Sequence, residues 1–175
     1  RGHAEVDTAS MSDPVLIRED GLFLYTLPSV VDDIDMAITH IIRGEDHVTN
    51  TGTQIQIFEA LGSRAPQFAH LPLLVDASGA GLSKRLGSLS IADLRAQGIE
   101  ALALSALLSR IGTSDAIEPV AGLDPLIEGF AFAQVARGAP RFSLEELKAL
   151  NARTLHHLEY ATIADRLRTI APDAD

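Results

Sequence analysis

Between Ala37 and Val75 the chain runs from one apolar stretch, Ala37-Ile38-Thr39-His40-Ile41-Ile42, to another, Leu71-Pro72-Leu73-Leu74-Val75. Between them lies Gln54-Ile55-Gln56-Ile57-Phe58-Glu59-Ala60-Leu61, which predicts a helix with Asn50 or Thr51 as N-cap and Gly62 at C′. Continuous β-branched and apolar runs suit strands covered on both faces. Strand, helix, strand is the rhythm of a parallel sheet, because parallel neighbours need a crossover that a tight turn cannot supply. Ahead of it, apolar runs at 15–18 and 22–25 flank Glu19-Asp20-Gly21, the pattern of a hairpin. From Ser90 onward, residues 90–97, 100–111, 123–137, 143–151 and 154–170 all carry helical spacing. Ser143-Leu144-Glu145-Glu146 reads as a capping box. The expectation is α/β plus all-α: half of a parallel-sheet domain followed by a helical domain.

Composition narrows the classes. At 175 residues the chain suits one ordinary domain or two small ones, and can bury roughly 70% of its unfolded surface. Its 46% hydrophobic and 22% charged residues are those of a folding chain. No apolar run approaches the ~20 residues of a membrane span. Cysteine is absent, which excludes disulfides and thiolate metal sites and fits a reducing, cytoplasmic setting. The start, Arg1-Gly2-His3-Ala4-Glu5, carries neither Met nor a signal core, so an internal piece of a longer chain is expected. Net charge is −10, which argues against a protein that coats nucleic acid by neutralising phosphates, although a local basic site is compatible with it.

Two loops carry the chemistry. The first runs Asp76-Ala77-Ser78-Gly79-Ala80-Gly81-Leu82-Ser83-Lys84-Arg85-Leu86-Gly87-Ser88, directly after an apolar run. Glycines let backbone amides turn towards an anion and Lys84 adds a charge, so it suits a phosphate-binding loop; a solvated surface loop has the same composition. It lacks the Gly-Lys-Ser/Thr order of a Walker A loop. In the second, Ile41-Ile42-Arg43-Gly44-Glu45-Asp46-His47, an apolar strand ends in arginine, acids and histidine. Ligands of open α/β sheets bind beyond the carboxyl ends of strands. Arg43 can hold a carboxylate through two bonds, and Asp46 can accept from an ammonium or a ribose hydroxyl; a strand-end ion pair explains the same residues. Asp32-Asp33 can pair as acid and base, or mark a strand end. The six histidines show no metal-ligand spacing, and no metal site is expected.

In this order and spacing the two loops resemble glutamyl-tRNA synthetase, a class I aminoacyl-tRNA synthetase. The similar text includes Tyr25, Val30-Val31-Asp32-Asp33, His40 to His47, Asn50-Thr51, Ala69 to Leu74 and Leu82-Ser83-Lys84-Arg85. In the helical part it includes Phe142 to Leu147 and Leu150-Asn151, and altogether it covers about residues 13 to 160. The resemblance implies the second half of a Rossmann-like catalytic domain at 14–95, a tail of the inserted acceptor-binding region at 1–13, and a helical stem-contact domain at 96–175. It implies ligation of glutamate to tRNA through a glutamyl-adenylate, with ATP and its Mg2+, tRNA and glutamate as partners. Ser83, Lys84 and Arg85 would form the core of a KMSKS-type loop. Tyr25, Arg43 and Ser29 would hold glutamate, and Asp46, Leu73, Leu74 and Lys84 would hold ATP. Gly81 stands where many relatives have Lys, and Ser29 where several have Asn. The HIGH-motif half and the anticodon-binding domain lie outside this text, so the isolated piece is expected to be inactive and to self-associate through exposed sheet surface. Alternatives are a paralogue that modifies a tRNA base, a synthetase that charges both glutamate and glutamine tRNAs, and a non-catalytic tRNA-binding module.

Overall fold

In the computed structural model, which describes residues 5–82 and 90–170, the first long helix is α1, Thr26–Asp35. Leu27, Val30, Val31 and Ile34 recur at helical spacing, and Pro28 falls in the first turn, where no intrahelical donor is needed. Val30 is buried while Leu27 and Ile34 pack beside it. Asp32 and Asp33 therefore lie in the last turn of a helix and not at a strand end. The apolar spacing of the segment outweighs the β-preference of its paired valines. The hairpin expected before α1 is a minimal one: a single Ile17–Phe23 bridge, with Gly21 at φ +83° in the turn.

Two strands make a parallel sheet, β1 at His40–Gly44 and β2 at Gln67–Leu71, joined through helix α2, Val48–Ala60. The register pairs Arg43 with His70 and Gly44 with Leu71. The parallel arrangement is as expected, but both strands are displaced. β1 begins at His40, not Ala37, because the chain leaves α1 through Ala37 at φ +53°. β2 precedes Pro72 instead of containing it, in keeping with proline's missing ladder donor. Helix α2 also starts earlier than expected, so Asn50 and Thr51 lie inside it and cap nothing. Gly62 does take the C′ role, at φ +73°, with Ser63 N–H donating to the Phe58 carbonyl.

The described chain separates into two compact units, Arg1–Leu73 and Leu74–Asp175, dividing ahead of residue 95, where the sequence reading puts its domain boundary. In the first, Val30, Ile57 and Phe58 form the buried cluster. The second is helical: α3 Ile91–Ala96, α4 Ala101–Arg110, α5 Asp124–Glu128, α6 Leu144–His157 and α7 Tyr160–Ile170. Its core runs through Leu94, Ala103, Ala106, Leu107, Leu126, Phe142, Leu147 and Leu150. Buried Asn151 ties two turns together, its amide donating to the Gly98 carbonyl and its oxygen accepting from Glu100 N–H at 2.7 Å. The stretch 123–137 is not one helix: α5 stops at Gly129, and a separate 3-10 turn follows at Phe132–Gln134. Ser143 caps α6 by accepting from Glu146 N–H, half of the expected box. A full capping box forms instead between Ser90 and Asp93. No helix among the described residues is long and apolar enough to cross a membrane.

Candidate functional site

Arg43 is the next-to-last residue of β1, and the parallel register puts His70 directly across from it. Opposed residues on neighbouring strands share a face, so the guanidinium and the imidazole meet: Arg43 Nε lies 3.5 Å from His70 Nε2. Arg43 Nη2 donates to Thr51 Oγ1 at 2.7 Å and to the His47 carbonyl at 3.4 Å. Thr51, one turn into α2, donates back to that carbonyl at 3.1 Å and lies 3.0 Å from His70 Nε2. Phe68 lies beneath, its ring centroid 5.4 Å from the guanidinium carbon, and stacks nearly parallel with the His70 ring. The arginine is thus half-buried and held through Nε and Nη2. Asp33 adds a carboxylate whose charge acts on Arg43. Burial pushes that carboxyl above its ordinary range and Asp32 adds to the effect, while Arg43 opposes it.

Gly44 closes β1, and a side chain there would collide with Asp46 Oδ1 and with Leu73 Cδ2. A glycine therefore lets the strand end receive both, and two residues expected to hold ATP come together at this point. Asp46 sits in the 3-10 turn Glu45–His47 and lies 3.8 Å from His47 Nε2, an exposed pair that adds little stability. Tyr25 is exposed at the head of α1, its ring 5.9 Å from that of His47. His47 Nδ1 in turn lies 3.3 Å from Asn50 Nδ2. Tyr25, Arg43, Asp46 and Leu73 all belong to the first unit, around the end of β1 and the start of α1 and α2.

Ser29 is turned inward. Its hydroxyl donates to the Thr26 carbonyl at 3.1 Å and accepts from Gln54 Nε2 at 3.0 Å, which occupies its proton and one lone pair. Gln54 is itself buried, and its Oε1 has no hydrogen-bond partner among the described residues. Leu74 belongs to the second unit. Ser83, Lys84 and Arg85 lie outside the described residues. The segment that leads to them is fixed: Val75 exchanges hydrogen bonds with Pro140 and Phe142, and Gly79 turns the chain at φ +88°. The Asp76 carboxylate accepts from Ser78 Oγ, Ser78 N–H and Ala80 N–H. These bonds, the Ser78 hydroxyl foremost, hold its pKa below the usual carboxylate value. Among the described residues no group of three or more His, Asp or Glu side chains can hold a metal ion.

The sequence singles out Arg43 as a candidate but not the residues that contact it. His47 and Thr51 lie four and eight residues further on, whereas His70 is joined to it only by strand register, for which no local signal exists.

Residues 1–149 match the family described as tRNA synthetases class I (E and Q), catalytic domain. A glutamate–tRNA ligase from Azospirillum brasilense is 60% identical over 168 residues, and glutamate–tRNA ligase 2 from Hyphomonas neptunium is 55% identical over 170. These alignments cover 95% and 97% of this chain but 38% of each relative, so the chain spans less than half the length of the curated relatives it matches. Among solved structures, a glutamate–tRNA synthetase from Elizabethkingia anophelis superposes with a TM-score of 0.79 at 28% identity, covering 96% of this chain and 38% of that one. One from Elizabethkingia meningosepticum, in complex with its amino acid, gives 0.80 at 29%, covering 96% and 37%. The small parallel sheet with its helices is a partial Rossmann-like arrangement followed by a helical part, as in those neighbours. With most of its length matched, the chain belongs to the class I tRNA synthetases of the glutamate and glutamine group.

Proposed function

We propose that this chain is part of a glutamate–tRNA ligase of protein biosynthesis and carries its amino-acid pocket. The observation that carries the reading is Arg43: a half-buried guanidinium near the carboxyl end of a parallel strand, held through Nε and Nη2 by protein groups. Its Nη1 side suits the side-chain carboxylate of glutamate. A neutral glutamine amide there forfeits a charge-assisted bond and sets N–H against N–H. The names of the 55–60% identical relatives support the same substrate.

In this reading Tyr25 and Ser29 complete the glutamate pocket. Asp46, Leu73, Leu74 and Lys84 take ATP, with Ser83 and Arg85 beside Lys84. A glutamate α-carboxylate oxygen attacks the α-phosphorus of ATP, and pyrophosphate departs with the bridging oxygen. A terminal hydroxyl of tRNA then displaces AMP and receives the glutamyl group. Lys84 steadies the charge that develops on the phosphates. Residues 14–95 serve as the second half of the catalytic domain, and 96–175 as the stem-contact domain. The isolated 175-residue chain is expected to be inactive, because the two halves of a class I site must converge on ATP. Its exposed sheet surface, with Ile42 half open to solvent, favours self-association.

The test is glutamate-dependent ATP–pyrophosphate exchange by the longer protein from which the chain is proposed to come, with and without tRNA. Exchange that requires glutamate and ignores glutamine bears the reading out. A longer protein that exchanges with neither amino acid, yet still binds tRNA, returns the chain to the binding-module reading.

A further inference from the structure

We propose that Thr51 and His70 are positioning residues that fix the orientation of the Arg43 guanidinium, and that this locking sets the preference for a carboxylate over a carboxamide. The inference rests on the reading of Arg43 as the glutamate-binding group. A guanidinium presents five N–H bonds in one plane, so its two outward edges are distinct. Two of its three nitrogens are engaged by the protein: Nε by His70 Nε2 at 3.5 Å, and Nη2 by Thr51 Oγ1 at 2.7 Å and the His47 carbonyl at 3.4 Å. Nη1 makes no hydrogen bond among the described residues, so the side of the guanidinium that carries it is the one left for a ligand. Phe68 supports the plane from below and limits tilting.

Thr51 is suited to this task because one hydroxyl does two things. Its oxygen accepts from Arg43, and its one proton serves the His47 carbonyl at 3.1 Å or the His70 Nε2 lone pair at 3.0 Å. His70 accepts from Arg43 only as a neutral imidazole with its proton on Nδ1, so its lone pair turns the Nε edge towards β2. A guanidinium held in this way cannot rotate to spare an amide N–H. A loose one can, and it would also lose entropy on gripping glutamate, which costs affinity.

The experiment uses glutamate- and glutamine-dependent ATP–pyrophosphate exchange in the longer protein, with thermal unfolding of each variant. Thr51→Val keeps the shape and removes the hydroxyl. It is expected to raise the KM for glutamate about tenfold, leave kcat within about threefold, and shrink the glutamate-to-glutamine ratio about tenfold. Thr51→Ser restores wild-type values. His70→Leu behaves like Thr51→Val, whereas His70→Gln, which keeps an acceptor, lies close to wild type. If Thr51→Val does not fold, the His70 pair alone decides. The proposal is overturned if the variants fold and keep both KM and the glutamate-to-glutamine ratio. A parallel fall of kcat with the melting temperature, unrescued by Thr51→Ser, overturns it as well, because that is the mark of a structural role. A wild-type protein that shows no dependence on glutamate refutes the pocket reading itself, a result visible before any variant is made.

Discussion

Among the described residues nine buried apolar side chains, from Leu94 to Leu150, form the core of the helical unit, whereas three, Val30, Ile57 and Phe58, serve the unit that carries Arg43. The thinner unit makes up part of the difference with directed polar contacts: Gln54 to Ser29, Arg43 to Thr51, and Thr51 beside His70. Apolar burial is non-directional and stabilises a body without aiming its side chains. Hydrogen bonds fix distance and angle, so they orient groups at modest net gain in stability. The unit that carries Arg43 is ordered by the kind of contact that aims a side chain. The helical unit is ordered by the kind that makes a firm scaffold.

The largest effect expected tests the aimed contacts. Arg43→Gln in the longer protein should cut kcat/KM for glutamate about a hundredfold, since two charge-assisted bonds are lost, with only a small change in the unfolding midpoint. Next comes the scaffold. Leu107→Ala, at a fully buried position, should cost about 3 kcal/mol in chemical denaturation, and Ile57→Ala in the smaller cluster about 2 kcal/mol. Equal or reversed costs would break the contrast between the units. Turn positions give a finer comparison. Gly112 and Gly62 both hold positive φ, but a Cβ at Gly112 meets Pro140 at 3.0 Å while one at Gly62 meets open space. Gly112→Ala should therefore lose about 2 kcal/mol and Gly62→Ala about 1 kcal/mol, measured by the same unfolding curves.

The smallest effect concerns Asp76. Its folded pKa lies below the unfolded one, so its bonds stabilise the turn above the unfolded value of about 3.9, and that stability is lost as pH falls towards the folded pKa. Asp76→Asn should differ from wild type at neutral pH and converge with it in acid, as followed by melting temperature between roughly pH 6 and pH 2. A gap that stays constant across that range would mean that the carboxylate charge plays no part.

The alternation of strand, helix and strand was legible because burial on both faces of a parallel sheet leaves continuous apolar runs in the text. Element edges were less so. Val30-Val31 carries a β-preference that the spacing of Leu27, Val30 and Ile34 overrides, and Leu73-Leu74-Val75 is apolar without being a strand. Arg43 stood out because it interrupts an apolar run just before a glycine. Thr51 read as a cap because a threonine ahead of a helical stretch usually is one; here α2 begins three residues earlier and frees its hydroxyl for Arg43. His70 stayed hidden because only register brings it across from Arg43.

The partners of Arg43 stand at unequal distances along the chain: His47 four residues on, Thr51 eight, and His70 twenty-seven. Closing a short loop costs less chain entropy than closing a long one, so the first two contacts come with the winding of α2 and the third waits for β2 to dock. Assembly of the guanidinium's surroundings is accordingly expected to be staged, its helical side early and its imidazole side late. Pulse-labelled amide exchange during refolding should protect residues 52–60 before 68–71; simultaneous protection would show the two sides forming as one step.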